Sequence, residues 1–183
     1  RETVDKLRRE LLMEDDLREV MLDIFADALD NEFLAEFGEP ENANAWDLEG
    51  FFDWVAGVLL KSEVRDLVSE KFEDYEQMIN RTMEFVVDAY DDKCEQLKPN
   101  DPNNFSRVVS LSTLDSEWQD HLLAIDSLRE GIGLRGYGQK EPLLEFTADA
   151  TNMFSQLLLT VHKEIFDRFF RYQVISKEEQ ERR

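Results

Sequence analysis

Cysteine, proline and long apolar runs are scarce in this 183-residue chain, and each scarcity excludes a class of structure. The single cysteine, Cys94, cannot form an internal disulfide, so the sequence fits a reducing compartment. The prolines fall only at positions 40, 99, 102 and 142, which leaves long stretches free to form uninterrupted helices. No run approaches the roughly 20 apolar residues that a membrane-spanning helix needs. The sequence therefore favours long helices without membrane spans or a disulfide framework.

Motifs for metal binding, nucleotide binding and catalysis are also missing. Histidine occurs only at positions 121 and 162, and Cys94 is remote in sequence from both, so no metal-ligand spacing is present. No serine lies in a G-x-S-x-G context, and no carboxylate pair stands out in so acidic a chain. Gly131 to Gly136 match G-x-G-x-x-G, but that fingerprint requires a preceding strand, and here a helical pattern precedes it. We expect no metal, no cofactor and no catalysis from this chain alone.

Positive charge is in short supply, with 21 Lys and Arg against 42 Asp and Glu and a net charge of −21. A surface this negative excludes nucleic acid as the main ligand, because phosphate contacts need basic side chains. Most of the negative charge lies between residues 14 and 99. We interpret this region as a solvated surface, and the alternative is an electrostatic surface for a basic partner.

Helical periodicity runs along almost the whole chain, without a convincing strand pattern or repeat. Apolar residues spaced by three and four predict helices over 2–13, 15–37, 46–60, 63–97, 102–132 and 143–174. The expected starts are Asp15 or Asp16, Asn44, Ser62 and Asp101, and Gly38 with Pro40 ends the second helix. The predicted fold class is all-α.

The last two predicted helices carry complementary apolar stripes and are joined by a short connection. Each is about 45 Å long, and together they predict a long antiparallel two-helix hairpin with a coiled-coil-like seam. Trp118 falls in the middle of this seam and is most simply a core residue; the alternative is a half-exposed contact for another domain. His121 is interpreted as a polar surface histidine near Trp118, with Glu117 and Asp120 placed to hold it.

The connection of the hairpin concentrates four of the seven glycines, at positions 131, 133, 136 and 138. Glycine gives the backbone freedom at low cost, and Pro142 suits the first position of the returning helix. The tip lies too far from any core to be explained by packing alone. We therefore predict a functional contact made by Leu134, Arg135, Gly136, Tyr137, Gly138, Gln139 and Lys140.

The segment from Leu111 to Pro142 contains the pattern W-x-x-H-L-x-x-x-D-x-L-R-x-G-I-x-L-R-G-Y-x-Q-x-x-P. It closely resembles the SecA family, the motor ATPases of bacterial protein export, and every fixed position of the family pattern is present. The resemblance is strong over about 105–175. A weaker resemblance, which includes Trp46 to Gly50, extends back to the start.

This resemblance implies a division of the chain into parts of the motor. Residues 1–14 look like the end of a long scaffold helix, 15–100 like the helical wing domain and 101–175 like the two-helix finger, followed by a charged tail over 176–183. The finger is also described as an intramolecular regulator of ATP hydrolysis. The resemblance implies several partners. They are a SecYEG-type channel, the preprotein with its signal peptide, and the nucleotide-binding and preprotein cross-linking domains of the full-length motor, called the parent below.

The resemblance also implies roles for single residues. Tyr137 corresponds to the tip tyrosine that contacts the polypeptide being moved, and Arg135 and Lys140 flank it. We expect Trp118, His121 and Arg129 to serve interdomain docking within the parent.

The nucleotide-binding domains of the family have no counterpart in this sequence, so ATP and magnesium belong to other domains of the parent. The implied location is the cytoplasm, peripherally at the inner face of the plasma membrane. An isolated piece is expected to expose apolar surface and to be prone to self-association. The alternative function is a non-enzymatic acidic helical adaptor that binds a basic partner.

Overall fold

The computed structural model describes residues 2–98, 100–135, 141–173 and 181–182, and the regular elements in those ranges are all helical. This confirms the all-α prediction. The α-helices are α1 (Glu2–Met13), α2 (Arg18–Glu32), α3 (Leu48–Leu59), α4 (Tyr75–Leu97), α5 (Pro102–Arg135) and α6 (Pro142–Arg171). A π-helical turn (Phe33–Phe37) and 3₁₀ turns (Ala43–Ala45 and Ser62–Ser69) connect them. Within the described ranges, none of the helices is both long and apolar enough to cross a membrane.

The second predicted helix consists of α2 and the π-helical turn. The N-cap of α2 is Leu17, which makes no side-chain capping bond, and not Asp15 or Asp16 as expected. Asp16 still contributes at this start, because its Oδ1 accepts the N–H of Arg18 at 3.0 Å. The predicted stop at Gly38 is confirmed. Gly38 has a φ of 141°, a conformation that only glycine adopts without strain.

Asp47, rather than the predicted Asn44, caps α3. Its carboxylate Oδ1 accepts a hydrogen bond from the N–H of Gly50 at 3.0 Å, which satisfies one of the free donors at a helix start. The N–H of Asp47 donates to the carbonyl oxygen of Phe37 at 2.7 Å. This bond fixes the start of α3 against the end of the π-helical turn.

The prediction of one helix over 63–97 is wrong. The first part of this stretch is the 3₁₀ turn Ser62–Ser69, and α4 begins only after Asp74. The Asp74 carboxylate accepts the N–H of Gln77 at 2.8 Å, and the Gln77 side chain accepts the N–H of Glu73 at 2.6 Å. This reciprocal pair resembles a capping box, and it sets a new helix start in the middle of the predicted one.

Aromatic side chains form the core between α2, α4 and the C-terminal half of α6. Phe25 of α2 is fully buried, and its ring centroid lies 5.2 Å from that of Phe166 and 5.4 Å from those of Phe169 and Phe170. Phe169 also stacks on Tyr90 of α4, with centroids 5.4 Å apart. Each fully buried ring contributes about 2–3 kcal/mol of hydrophobic stabilisation. This core therefore fixes the C-terminal half of α6 against the preceding helices.

Side chains of α5 form hydrogen bonds with backbone atoms at the corner between α1 and α2. Arg107 donates from Nε to the carbonyl oxygen of Leu11 and from Nη2 to that of Glu14, both at 2.8 Å. The amide oxygen of Asn103 accepts the N–H of Leu17 at 3.1 Å. The last turn of α1 has no basic residue of its own. The Arg107 guanidinium therefore supplies the positive charge that the carbonyl end of a helix favours.

Helices α5 and α6 form the predicted antiparallel hairpin. Near one end, Arg168 Nη1 donates to Thr113 Oγ1 at 3.1 Å. Farther along α5, the ring of His121 lies 6.0 Å from that of Phe154. Residue numbers thus rise along α5 while those of the facing residues fall along α6, and Pro142 occupies the first turn of α6 as expected.

Candidate functional site

The hairpin consists of two parts, one with many buried side chains and one that is largely exposed. The hairpin base (residues 102–114 and 157–171) buries side chains from both helices, among them Val109, Leu114, Val161 and Ile165. In the distal hairpin (residues 115–135 and 141–156), Ile132 is the one buried residue among those whose side chains are described. The distal part of α5 spans about 30 Å. A two-helix rod therefore extends well beyond the core.

An open apolar groove of about 700 Å³ runs between the two helices of the distal hairpin. Both helices contribute to it, and it is lined by Trp118, His121, Leu122, Ile125, Phe146, Thr147, Ala150, Thr151 and Phe154. Leu122 is 46% exposed, and Leu123 beside it is 67% exposed. We refer to this feature as the Trp118 groove. Its lining is suited to bind an apolar surface rather than a charged ligand.

Trp118 lies between the two placements that the sequence left open, a core residue and a half-exposed one. It is half-buried, packs against the edge of the core and lines the Trp118 groove. Its ring lies 5.4 Å from that of His121, and His121 faces Phe154 across the hairpin. The described contacts of His121 are thus aromatic, and partial burial lowers the pKa of its imidazole. Glu117 and Asp120, the carboxylates expected to hold this surface histidine, are not among its described contacts.

Arg129 is exposed on α5. It follows Leu122 by seven residues, which is two helical turns, so both residues lie on nearly the same side of α5. The three residues predicted to dock, Trp118, His121 and Arg129, therefore share one general side of the helix.

Exposed leucines flank the predicted tip. Leu134 is 77% exposed at the end of α5, and Leu143 and Leu144 are 75% and 65% exposed at the start of α6. The predicted contact residues Gly136, Tyr137, Gly138, Gln139 and Lys140 lie outside the described residues. For Arg135 the structure describes the backbone alone, as the last residue of α5.

The sequence reasoning missed three apolar side chains of the distal hairpin: Leu143, Leu144 and Phe146. A signal for the leucines was present, because two adjacent leucines at a helix start cannot both face a narrow two-helix seam. Phe146, Ala150 and Phe154 follow one another at intervals of four residues, so Phe146 extends the apolar stripe of α6 by one turn toward the tip.

A smaller cleft of about 300 Å³ lies at the hairpin base between α1, α2 and α6. It contains His162, whose Nδ1 is buried without a hydrogen-bond partner. Burial lowers the pKa of His162, and the nearby Asp27 carboxylate opposes this shift. In the described part of the chain, no group of three or more His, Cys, Asp and Glu residues is arranged to hold a metal ion. Burial in this cleft therefore disfavours the protonated form of His162.

Comparison with known proteins identifies the family of this helical arrangement. The family model of the SecA Wing and Scaffold domain matches residues 1–173. The protein translocase subunit SecA of Deinococcus deserti is 33% identical over 175 residues, covering 94% of this chain and 20% of that protein. The same subunit of Desulforapulum autotrophicum is 33% identical over 179 residues, and that of Desulforudis audaxviator is 30% identical over 190 residues.

These matches cover 97% and 100% of this chain and 21% of each relative. The chain thus spans about one fifth of the length of the curated relatives it matches. The family match extends over almost all of the sequence, including the hairpin. The chain therefore belongs to the family of the SecA wing and scaffold domain.

Proposed function

We propose that this chain is the wing and scaffold part of a protein-translocating motor, and that the distal hairpin contacts the preprotein and a SecYEG-type channel. The relatives are named as protein translocase subunits. One observation carries the proposal. The hairpin base is fixed in an aromatic core, whereas the distal hairpin, about 30 Å long, presents exposed leucines and an open apolar groove.

The composition of the tip suits contact with many different polypeptides. Exported chains differ in sequence, so a useful contact must rely on stacking, apolar contact and hydrogen bonds to backbone. Tyr137 offers a ring and a hydroxyl for this purpose, and the exposed Leu134 and Leu143, close to it in sequence, add apolar surface. Arg135 and Lys140 place positive charge at the tip of a strongly negative chain.

The contacts at the hairpin base support a role in coupling. Arg107 and Asn103 attach α5 directly to the corner that follows α1, so a displacement of α1 moves the hairpin with it. In the parent, ATP bound with magnesium in other domains would drive that displacement. Trp118, His121 and Arg129 would dock against the nucleotide-binding and preprotein cross-linking domains and restrain hydrolysis until substrate binds. The parent would act at the cytoplasmic face of the membrane.

Site-specific photo-cross-linking in the full-length motor tests this proposal. A photoreactive side chain at position 137 is compared with one at Val108, which is 57% exposed but lies at the hairpin base. With a stalled export substrate on membranes, we expect position 137 to label the substrate or the channel, and position 108 to label neither. If position 137 labels only the motor's own domains, the distal hairpin is not the substrate contact.

Substitutions at the tip separate this proposal from its rival, an acidic adaptor. In the full-length motor, Tyr137→Ala should reduce translocation and spare folding, whereas Tyr137→Phe should retain much of the activity because the ring remains. An adaptor acting through residues 14–99 would instead bind a basic partner with an affinity that falls steeply with salt, and would be indifferent to changes at 134–140. The chain alone should not hydrolyse ATP.

A further inference from the structure

Two glycines lie inside the distal end of α5 with no packing reason to be glycine. Gly131 and Gly133 are both helical, and a Cβ atom added at either position would meet no heavy atom within 4 Å. Neither has the positive φ that would demand glycine. Relative to alanine, each glycine favours local unwinding of a helix by roughly twofold to fivefold. The glycines therefore weaken this end of α5 where alanine would fit.

The facing helix is weakened by hydroxyl side chains. Thr147 lies closest to the level of the two glycines, and Thr151 and Ser155 lie one and two turns nearer the base. Thr147 Oγ1 donates to the carbonyl oxygen of Leu143 at 2.9 Å, Thr151 Oγ1 to that of Thr147 at 2.7 Å, and Ser155 Oγ to that of Thr151 at 3.1 Å. All three residues are exposed. Hydroxyl groups bonded to the carbonyl four residues back compete with the helical N–H, and they bend and destabilise helices.

Packing compensates for these weaknesses at one position. Ile132, between the two glycines, is the one buried residue among the described side chains of the distal hairpin, and the Trp118 groove leaves the stretch around Thr147 and Thr151 open on one side. The hairpin base offers a contrast. There, Thr113 Oγ1 makes the same kind of bond, to Val109, but Thr113 is fully buried and also accepts a hydrogen bond from Arg168.

We propose that the distal hairpin contains a built-in hinge, in which α5 opens at Gly131 and Gly133 while α6 bends between Thr147 and Ser155. The hinge lets the tip tilt while the aromatic core holds the hairpin base. A polypeptide being moved presents side chains of every size, and a tilting tip accommodates them without displacing the core. The use of the hinge in translocation rests on the proposed function, whereas the opening itself does not.

Amide hydrogen exchange on the 183-residue chain tests the opening. We expect the amides of 131–135 to exchange many-fold faster than those of 106–114. Gly131→Ala together with Gly133→Ala should slow exchange over 131–135 by about tenfold, because alanine fits both sites and disfavours the open form. Gly57→Ala in α3 is the matched control, since a Cβ there also meets nothing within 4 Å. That control should leave the distal amides unchanged.

A second variant tests the α6 side of the hinge independently. Replacing Thr147, Thr151 and Ser155 by alanine removes the competing hydroxyls and raises helix propensity, and exchange over 147–155 should slow severalfold. The hinge is disproved if the distal amides of the unmodified chain are as protected as those of the base. It is also disproved if neither variant slows their exchange.

Translocation by the full-length motor tests the use of the hinge. The double glycine variant should translocate severalfold more slowly than the Gly57→Ala control, at unchanged channel binding. Slower exchange with a full translocation rate would overturn the functional half of the proposal. A negative cross-linking result from position 137 would instead overturn the proposed function, and it would leave the exchange results untouched. The two failures are therefore distinguishable.

Discussion

The hairpin base and the distal hairpin belong to the same two helices, yet they are stabilised in different ways. At the base, α6 packs on α2 and α4 through Phe166, Phe169 and Phe170, and α5 is attached to the α1–α2 corner. In the distal part, α1 reaches only the near end, where Arg8 pairs with Asp115 at 2.8 Å, and in the described residues the two helices otherwise pack mainly on each other. A pair of helices buries only one stripe of each, so the remaining apolar side chains stay exposed. The comparison shows that helical pattern alone does not determine local stability.

The largest expected effect comes from removing a ring at the base. Phe169→Ala should lower the free energy of unfolding by about 3–5 kcal/mol, because the ring is fully buried and the cavity cannot collapse. Phe146→Ala in the distal hairpin is the matched substitution. Its half-exposed ring should cost about 1 kcal/mol. Urea unfolding followed by circular dichroism measures both, and equal losses would contradict the division between base and distal hairpin.

A smaller effect is expected at the attachment of α1. Arg107→Met keeps the aliphatic part of the side chain but leaves the carbonyl oxygens of Leu11 and Glu14 without their donor. We expect a loss of about 2 kcal/mol. Arg9→Met, at an exposed position of α1, should change stability by less than about 0.5 kcal/mol. If the two variants have the same midpoint of urea unfolding, Arg107 does not hold the corner.

The two histidines allow the hairpin base and the distal hairpin to be compared by the pH dependence of stability. Burial lowers the folded-state pKa of both, with His162 at the base and His121 in the distal groove. The unfolded chain, with a histidine pKa of about 6.5, then binds protons more readily. Stability is therefore lost as the pH falls from about 6.5 toward the lowered folded-state pKa.

His162→Gln should flatten this loss more than His121→Gln, because His162 is enclosed by three helices, whereas the groove around His121 is open. The measurement is the midpoint of urea unfolding at pH 7.5 and pH 5.5 for both variants. A larger flattening by His121→Gln would contradict the greater enclosure of the base.

The smallest effect on stability is expected at the tip. Leu143→Ser together with Leu144→Ser should change the free energy of unfolding by less than about 0.5 kcal/mol, since both side chains are largely exposed. The same variant should shift the sedimentation profile of the 183-residue chain toward monomer, because exposed apolar patches drive association. Val108→Thr at the base is the control. An unchanged profile would show that these leucines do not mediate self-association.

The sequence predicted the fold well where local signals were unambiguous. Gly38 ended its helix, Pro142 began one, and the stripes of α5 and α6 specified an antiparallel pair. The prediction of one helix over 63–97 was wrong because Val64 and Leu67, both buried, have a spacing of three that fits a 3₁₀ turn as well as an α-helix. The capping pair around Asp74 is visible as D-x-x-Q in the sequence and would have corrected the prediction.

The Trp118 groove was less predictable than the fold, because a groove forms only where no other element of the chain packs over it. Spacing placed Trp118 in the seam, but it could not show that the neighbouring seam opens into a groove. Within the described residues no third helix covers the distal hairpin, and this is a property of the tertiary arrangement that spacing does not reveal. The contact predicted at Tyr137 remains a prediction, since that residue lies outside the described residues.

The corner between α1 and α2 has a consequence for how the chain tolerates mutation. Arg107 and Asn103 recognise backbone atoms there, and the side chains of Leu12 to Asp16 point outward and are exposed. A saturation screen should therefore find residues 12–15 permissive to almost any replacement except proline, and Asp16, whose side chain accepts the N–H of Arg18, less so. Positions 103 and 107 should accept few. The sequence of the α1–α2 corner should therefore change faster in evolution than positions 103 and 107, because the side chains that specify this contact come from α5.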